Sequence, residues 1–146
     1  MTGLNDEYFM KQAYAEAQLA FDEDEVPVGA VIAIGDRIIA RAHNHTERLA
    51  DPTAHAEMLA ITAATGFLGA KYLTDCRLYV TVEPCVMCAG AIAWAQVAAL
   101  IYGASDEKHG FTRFAPEAMH PKTEVRSGLM ESECAALMKD FFRKKR

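Results

Sequence analysis

Apolar positions along the chain follow two rhythms. Between Asp6 and Phe21 they fall at Phe9, Ala13, Ala17, Ala20 and Phe21, the three-and-four spacing of an amphipathic helix. The run Asp22-Glu23-Asp24-Glu25 ends that helix with acidic positions expected in solvent, and Pro27 blocks its continuation. Val28 to Ile34 is then almost continuously apolar, and Arg37 to Ala42 also reads as a strand. Gly35-Asp36 between them suits a two-residue hairpin turn. Asp51-Pro52-Thr53 predicts a helix start, with Asp51 as cap and Pro52 at the first helical position, running to a stop near Gly66. The β-branched and aromatic stretch Arg77 to Glu83 predicts a strand. Pro84 opens a helix that continues through Ala95, and a short strand follows at Leu100-Ile101-Tyr102. Gly103 to Lys122, with two glycines and two prolines, reads as a functional loop. A brief strand near Glu124-Val125-Arg126 and a helix from Ser132 to about Arg143 complete the pattern.

The order helix, two strands, helix, strand, helix, strand, loop, strand, helix fits a three-layer α/β/α sandwich. Its central sheet is expected to be mixed and five-stranded, in one domain over residues 1–146. A hydrophobic fraction of 51% against 24% charged residues is globular composition and argues against disorder. Apolar runs such as Ala30 to Ile34 are far too short for a bilayer span, and Met1 to Glu7 lacks the basic and apolar regions of a signal peptide. A cytoplasmic protein with no membrane segment is the expectation. The formal net charge of −5 argues against nonspecific coating of nucleic acid. The last four residues, Arg143-Lys144-Lys145-Arg146, are nonetheless all basic and suit local phosphate contact, or simply a solvated helix end.

The chemistry gathers at two predicted helix starts. Cys85 and Cys88 are three residues apart, so on a helix they share a face, and a helix N-terminus favours their thiolates. With no secretory feature, such a pair points to metal or redox chemistry before a disulfide. His55 adds a nitrogen donor, giving three protein ligands for zinc and leaving the fourth tetrahedral position to water, as in catalytic sites. Glu57, two residues further on, is placed to shuttle a proton to and from that water. A structural knuckle closed by Cys76, Cys134 or His120 is the rival arrangement. Cys76 and Cys134 lie in apolar stretches, however, where cysteine serves as a small buried hydrophobe. His43, His45 and His109 read as surface polar residues, and His120 as a loop residue that could approach a substrate. The combination H-x-E, a gap of 25 residues or more, then P-C-x-x-C is the signature of zinc nucleobase deaminases.

Several segments together are narrower than that signature. Glu25 to Val31, Asp51 to Glu57, Val80 to Ala91, Glu133 to Leu137 and Asp140 to Arg143 closely resemble the bacterial tRNA-specific adenosine deaminases, and the likeness runs from about Asp6 to Arg143. The resemblance implies a cytidine deaminase-like fold, one zinc per subunit, a homodimer, and conversion of adenosine to inosine at wobble position 34 of a tRNA anticodon. Carried over by position, His55, Cys85 and Cys88 hold zinc and Glu57 is the proton shuttle. Asn44 hydrogen-bonds the flipped base, Val26 and Pro27 form part of the apolar wall around it, and Asp106 lies near the flanking RNA backbone. Phe142, beside the basic tail, offers a stacking surface for an unpaired base. Two stretches depart from the family. Ala93 to Ala99 lacks the arginines commonly found there, and the loop from Glu107 to Lys122 is several residues shorter. Two further readings use the same residues differently: a deaminase of a free base or nucleoside such as guanine or cytosine, and a noncatalytic zinc-stabilised RNA-binding module.

Overall fold

The computed structural model describes residues 4–145; Met1 to Gly3, part of the segment read for a leader, and Arg146, the last residue of the basic tail, lie outside the described residues. Helix α1 spans Leu4–Asp22, and strands β1 (Gly29–Ile34) and β2 (Arg37–His43) follow as a hairpin. Its turn is the expected pair Gly35-Asp36, with Gly35 at φ 58° and Ile34 paired to Arg37. Next come α2 (Ala56–Leu68), β3 (Cys76–Val82), α3 (Val86–Ala95) and β4 (Ala99–Ala104). The loop that follows contains a single turn of helix, α4 (Phe111–Phe114), and a 3-10 turn at Pro116–Ala118 before β5 (Glu124–Ser127) and α5 (Glu131–Lys144).

The five strands form one mixed sheet, as the pattern predicts, and the structure orders them β2-β1-β3-β4-β5. β1 runs antiparallel to both β2 and β3, whereas β3, β4 and β5 are parallel. Strand alternation divides the core in two. Ala30, Ile32, Leu78, Val80, Leu100 and Tyr102 face α2 and α3, while Val31, Ala33, Tyr79, Ala99 and Ile101 face α1. Burial on both faces explains why β1 reads as an unbroken apolar run.

Small side chains set the spacing of the layers. A Cβ at Gly29 would lie 2.0 Å from the Ala13 carbonyl oxygen and 2.4 Å from the Ala17 nitrogen, so α1 rests almost backbone to backbone on the start of β1. On the other face, Ala56, Ala60 and Ala64 of α2 and Ala89, Ile92 and Ala95 of α3 are buried together. This alanine stripe lets the two helices lie close to the sheet and to each other.

Both helices begin later than the sequence predicts. Asp51 caps no helix; its carboxylate accepts bonds from the Thr53 N–H at 2.8 Å and the Thr53 hydroxyl at 2.7 Å, closing a local turn. α2 then starts after His55 and runs past Gly66 to Gly69, whose φ of 65° ends it. α3 starts after Cys85 rather than at Pro84. Glu25, expected in solvent with its acidic neighbours, is instead fully buried. Among the described residues no helix is long and apolar enough to cross a membrane.

Polar contacts of Asp6 help pin α1 to the sheet. Asp6 accepts a 2.5 Å hydrogen bond from the Tyr79 hydroxyl on β3 and pairs with Arg126 of β5. Burial pushes the Asp6 carboxyl up, but the bonds from Tyr79 and Arg126 outweigh it and hold the group below its ordinary value. Burial and the Asp6 bond push the Tyr79 phenol up to about 12. A carboxyl depressed in the folded state adds stability above its unfolded value of about 3.9, and that stability is lost as pH falls through the folded value. Asp6→Asn is therefore expected to cost about 1–2 kcal/mol near neutral pH, with the gap to wild type closing below about pH 4. Urea melts at stepped pH check this, and a gap that stays constant into acid would contradict it.

Candidate functional site

α2 and α3 both point their N-termini at one place beyond the C-terminal end of β3. His55 occupies the cap position of α2, extended at φ −77° and ψ 153°, and Glu57 lies in the first turn. Cys85 occupies the cap position of α3 at φ −74° and ψ 174°, and Cys88 lies in its first turn. The two helix starts thus bring His55 Nδ1 to 3.7 Å from Cys85 Sγ and 3.5 Å from Cys88 Sγ. These three donor atoms all lie within 4.8 Å of one another, close enough to share one metal ion. The Pro52 carbonyl bonds the His55 ring, fixing an orientation in which Nδ1 faces the sulfurs.

Electrostatics suit the donor set to a cation. A bond from the Cys88 thiol, and then the His55 contact, hold Cys85 down to about 4 against the opposing effect of burial. That same hydrogen bond between the two thiol groups, with burial, pushes Cys88 up. Two soft sulfurs, one already a thiolate, and an imidazole nitrogen match zinc in number and type. Glu57 is buried beside them at 4% exposure, and burial pushes its carboxyl up to about 7. A group that gains and loses protons near neutrality is what proton transfer requires. Cys76 and Cys134 do not join the set. Both are buried in the core, and burial pushes Cys134 up to about 12. His120 does not join either; its Nδ1 accepts the Lys122 N–H at 3.0 Å.

Asn44 does reach the site. It is buried, and its side-chain oxygen accepts the Ala56 N–H at 3.0 Å, at the first residue of α2. One lone pair of that oxygen is therefore committed to the fold, which leaves the other, with the amide N–H groups, for a ligand. Val26 and Pro27 lie in the link between α1 and β1, with Pro27 buried and Val26 half-buried. Asp106 is engaged within its own loop, where its carboxylate accepts the Lys108 and His109 N–H groups, each at 3.0 Å. Phe142 is 47% exposed, whereas Phe141 is 4% exposed and packs edge-on to Phe21. The neighbouring cations already have partners. Lys145 Nζ lies 2.6 Å and Lys144 Nζ 3.8 Å from Asp24, and Arg143 pairs with Asp140 at 3.2 Å.

Two buried carboxylates that the sequence pattern did not single out hold the loops around this site. Glu25 accepts the Glu47 N–H at 3.0 Å and the Arg48 N–H at 2.7 Å, fastening the loop that leads from Asn44 to His55. Glu83, immediately before the zinc-type motif, accepts the Asp106 and Thr112 N–H groups at 3.0 Å and the Thr112 hydroxyl at 2.6 Å. This binds the long loop to the start of α3, where Cys85 bridges to Gly110. A Cβ at Gly110 would fall 2.4 Å or less from all three carboxyl atoms of Glu83, so any larger residue there would displace that carboxylate from its loop bonds.

Residues 4–146 match the family model of the MafB19-like deaminases. The tRNA-specific adenosine deaminase of Agrobacterium fabrum is 46% identical over 144 residues, 95% of this chain and 95% of its own length. A solved structure from a study of A-to-I editing by tRNA:A34 deaminases at the wobble position of transfer RNA matches with a TM-score of 0.83 and 46% identity. The match covers 89% of this chain and 98% of that one. The guanine deaminase of Nitrosomonas europaea, at 24% identity, shares the fold with a TM-score of 0.81 over 92% of this chain and 83% of its own.

Proposed function

The chain belongs to the tRNA-specific adenosine deaminases of the MafB19-like deaminase family, and from that premise we infer that it converts adenosine to inosine at position 34 of a tRNA anticodon. The observation that carries the reading is the meeting of His55, Cys85, Cys88 and a buried Glu57 at two abutting helix starts, in a chain alike throughout its length to enzymes of that name. The chain then acts as one deaminase domain over residues 1–146, working in the cytoplasm where tRNA is modified.

His55 Nδ1 and the sulfurs of Cys85 and Cys88 would hold a zinc ion. When bound, zinc supplies a Lewis acid that makes water acidic near pH 7. The base must leave its stack to reach the site, and Asn44, at the entrance to α2, would hold it by hydrogen bonds, with Val26 and Pro27 as apolar wall. Glu57 carries the protons. It takes one from the attacking water and gives it to N1 of the purine. It then takes the second and gives it to the amino group leaving C6, so that adenosine and water become inosine and ammonia. Burial raises the Glu57 carboxyl above the ordinary carboxylate range, which suits it to hold a proton between the two transfers. Exposed Phe142 would stack on a base of the opened loop, and Asp106 would meet the flanking ribose through carboxylate capacity beyond its own loop bonds.

A homodimer is part of the proposal. Val86, Gly90 and Trp94 follow one another at four-residue spacing along the outward side of α3, and Trp94 is 83% exposed. Tryptophan is costly to leave in water and is enriched where partners bury it. Because Cys85 and Cys88 stand at the start of this same helix, a partner there would border the site.

Incubation with total bacterial tRNA, followed by sequencing, is expected to give inosine at position 34; deamination of free guanine, cytosine or nucleosides with tRNA untouched would overturn the reading. Glu57→Gln keeps the shape of the side chain without its proton and is expected to retain zinc while losing about 10²–10⁴-fold in turnover. Wild-type turnover in that variant would remove Glu57 from the mechanism. For assembly, light scattering at micromolar concentration should show a dimer for the wild type and a monomer for Trp94→Glu. A wild-type monomer would contradict the dimer.

A further inference from the structure

His43 and His45 do not sit loose on the surface. They flank Asn44 at the end of β2, so both rings project to one side of the chain, and they meet edge-on with centroids 4.6 Å apart. His43 is buried. Its Nδ1 lies 2.8 Å from a Glu16 carboxylate oxygen, and its Nε2 lies 3.0 Å from a Glu23 oxygen and 3.2 Å from His45 Nε2. His45 Nε2 is itself 3.8 Å from that same Glu23 oxygen. Donor atoms from the end of α1, the end of β2 and the loop beyond thus converge within 4.8 Å.

Two imidazole nitrogens this close cannot both present lone pairs to each other without something positive between them. Glu16 accepts the Nδ1 proton of His43, which directs the lone pair of a neutral ring to Nε2. That carboxylate behind an imidazole is the usual support of a metal-bound histidine, fixing both tautomer and orientation. A single proton on His43 Nε2 would have to be divided between Glu23 and His45. A divalent cation instead takes one lone pair from each of the three groups at once.

We propose that His43, His45 and Glu23 form a second metal site, separate from the cysteine-containing one, which takes a borderline transition-metal dication such as Zn²⁺. Two nitrogens and one oxygen select that class over Ca²⁺ or Mg²⁺, which prefer oxygen alone. Glu23 and His45 are each partly open to solvent, so water completes the coordination. Arg48 is the competing cation, with Nη1 3.4 Å from the same Glu23 oxygen, but its side chain is 63% exposed and free to swing away. Glu25 does not compete as a ligand because its carboxylate is committed to Thr46, Glu47 and Arg48. A cation here joins Glu23, just past the end of α1, to the residues on either side of Asn44, whose oxygen holds the start of α2. Its role is a brace on the wall of the base pocket, not a participant in the reaction.

The test titrates Co²⁺ into the full chain already carrying one equivalent of zinc, with metal analysis after gel filtration. The expected result is one further equivalent of Co²⁺ per chain, with visible d–d absorption and without the thiolate charge-transfer band that cysteine ligation produces. His45→Gln and Glu23→Gln, both at partly exposed positions, should each weaken that binding at least about tenfold, and Arg48→Ala should tighten it. Circular dichroism confirms that the variants are folded. Saturation of the wild type at one metal per chain would overturn the proposal, and so would Co²⁺ binding of undiminished affinity in both ligand variants.

Discussion

The rest of the site depends on the approach of two helix N-termini. α2 and α3 can meet at their first turns because their inner faces are built from Ala56, Ala60, Ala64, Ala89 and Ala95, side chains too small to hold them apart. That approach places His55 against Cys85 and Cys88, and it buries Glu57, which raises its carboxyl. Helix N-termini favour the thiolate form of cysteine, while desolvation favours the neutral form of the carboxyl. One arrangement therefore holds Cys85 toward its thiolate and Glu57 toward its protonated form side by side.

Precision in the surrounding loops comes from a repeated device. Glu25 and Glu83 are both buried carboxylates whose charge is neutralised by backbone N–H groups from a loop distant in sequence. A buried carboxylate stripped of those bonds would be costly, so the loops are held in place by the penalty of letting go. Through Glu25 the segment carrying Asn44 and His45 is set against α1, and through Glu83 the loop carrying Asp106 is set against the start of α3. The long loop keeps its anchor because Gly110 leaves room for the Glu83 carboxyl.

The sheet was legible in the sequence because its cue is local. Apolar runs with β-branched residues need only their own neighbours to be recognised, and the Gly35-Asp36 turn announces itself. The meeting of His55, Cys85 and Cys88 was equally readable, since with Glu57 they stand in a pattern whose chemistry follows from their types. What escaped depended on partners far along the chain. Glu25 ends an acidic run and looks solvated until the backbone of Glu47 and Arg48 folds over it. His43 and His45 read as surface residues because the carboxylates that hold them, Glu16 in the first helix and Glu23 just beyond its end, lie twenty residues or more earlier in the chain. Asp51 and Pro52 carry good helix-start chemistry, but the Asp51 side chain closes a turn on Thr53 instead and leaves the cap position to His55. The basic tail reads as free charge, yet Lys144 and Lys145 find Asp24 at the far end of α1.

The central claim is that two cysteines and one histidine, from two helix starts, form a single metal centre. X-ray absorption at the zinc edge of the full chain loaded with one equivalent of zinc measures this directly. The account predicts two sulfur neighbours at about 2.3 Å and the remaining neighbours nitrogen or oxygen at about 2.0–2.1 Å. A first shell with one sulfur or with three would contradict it.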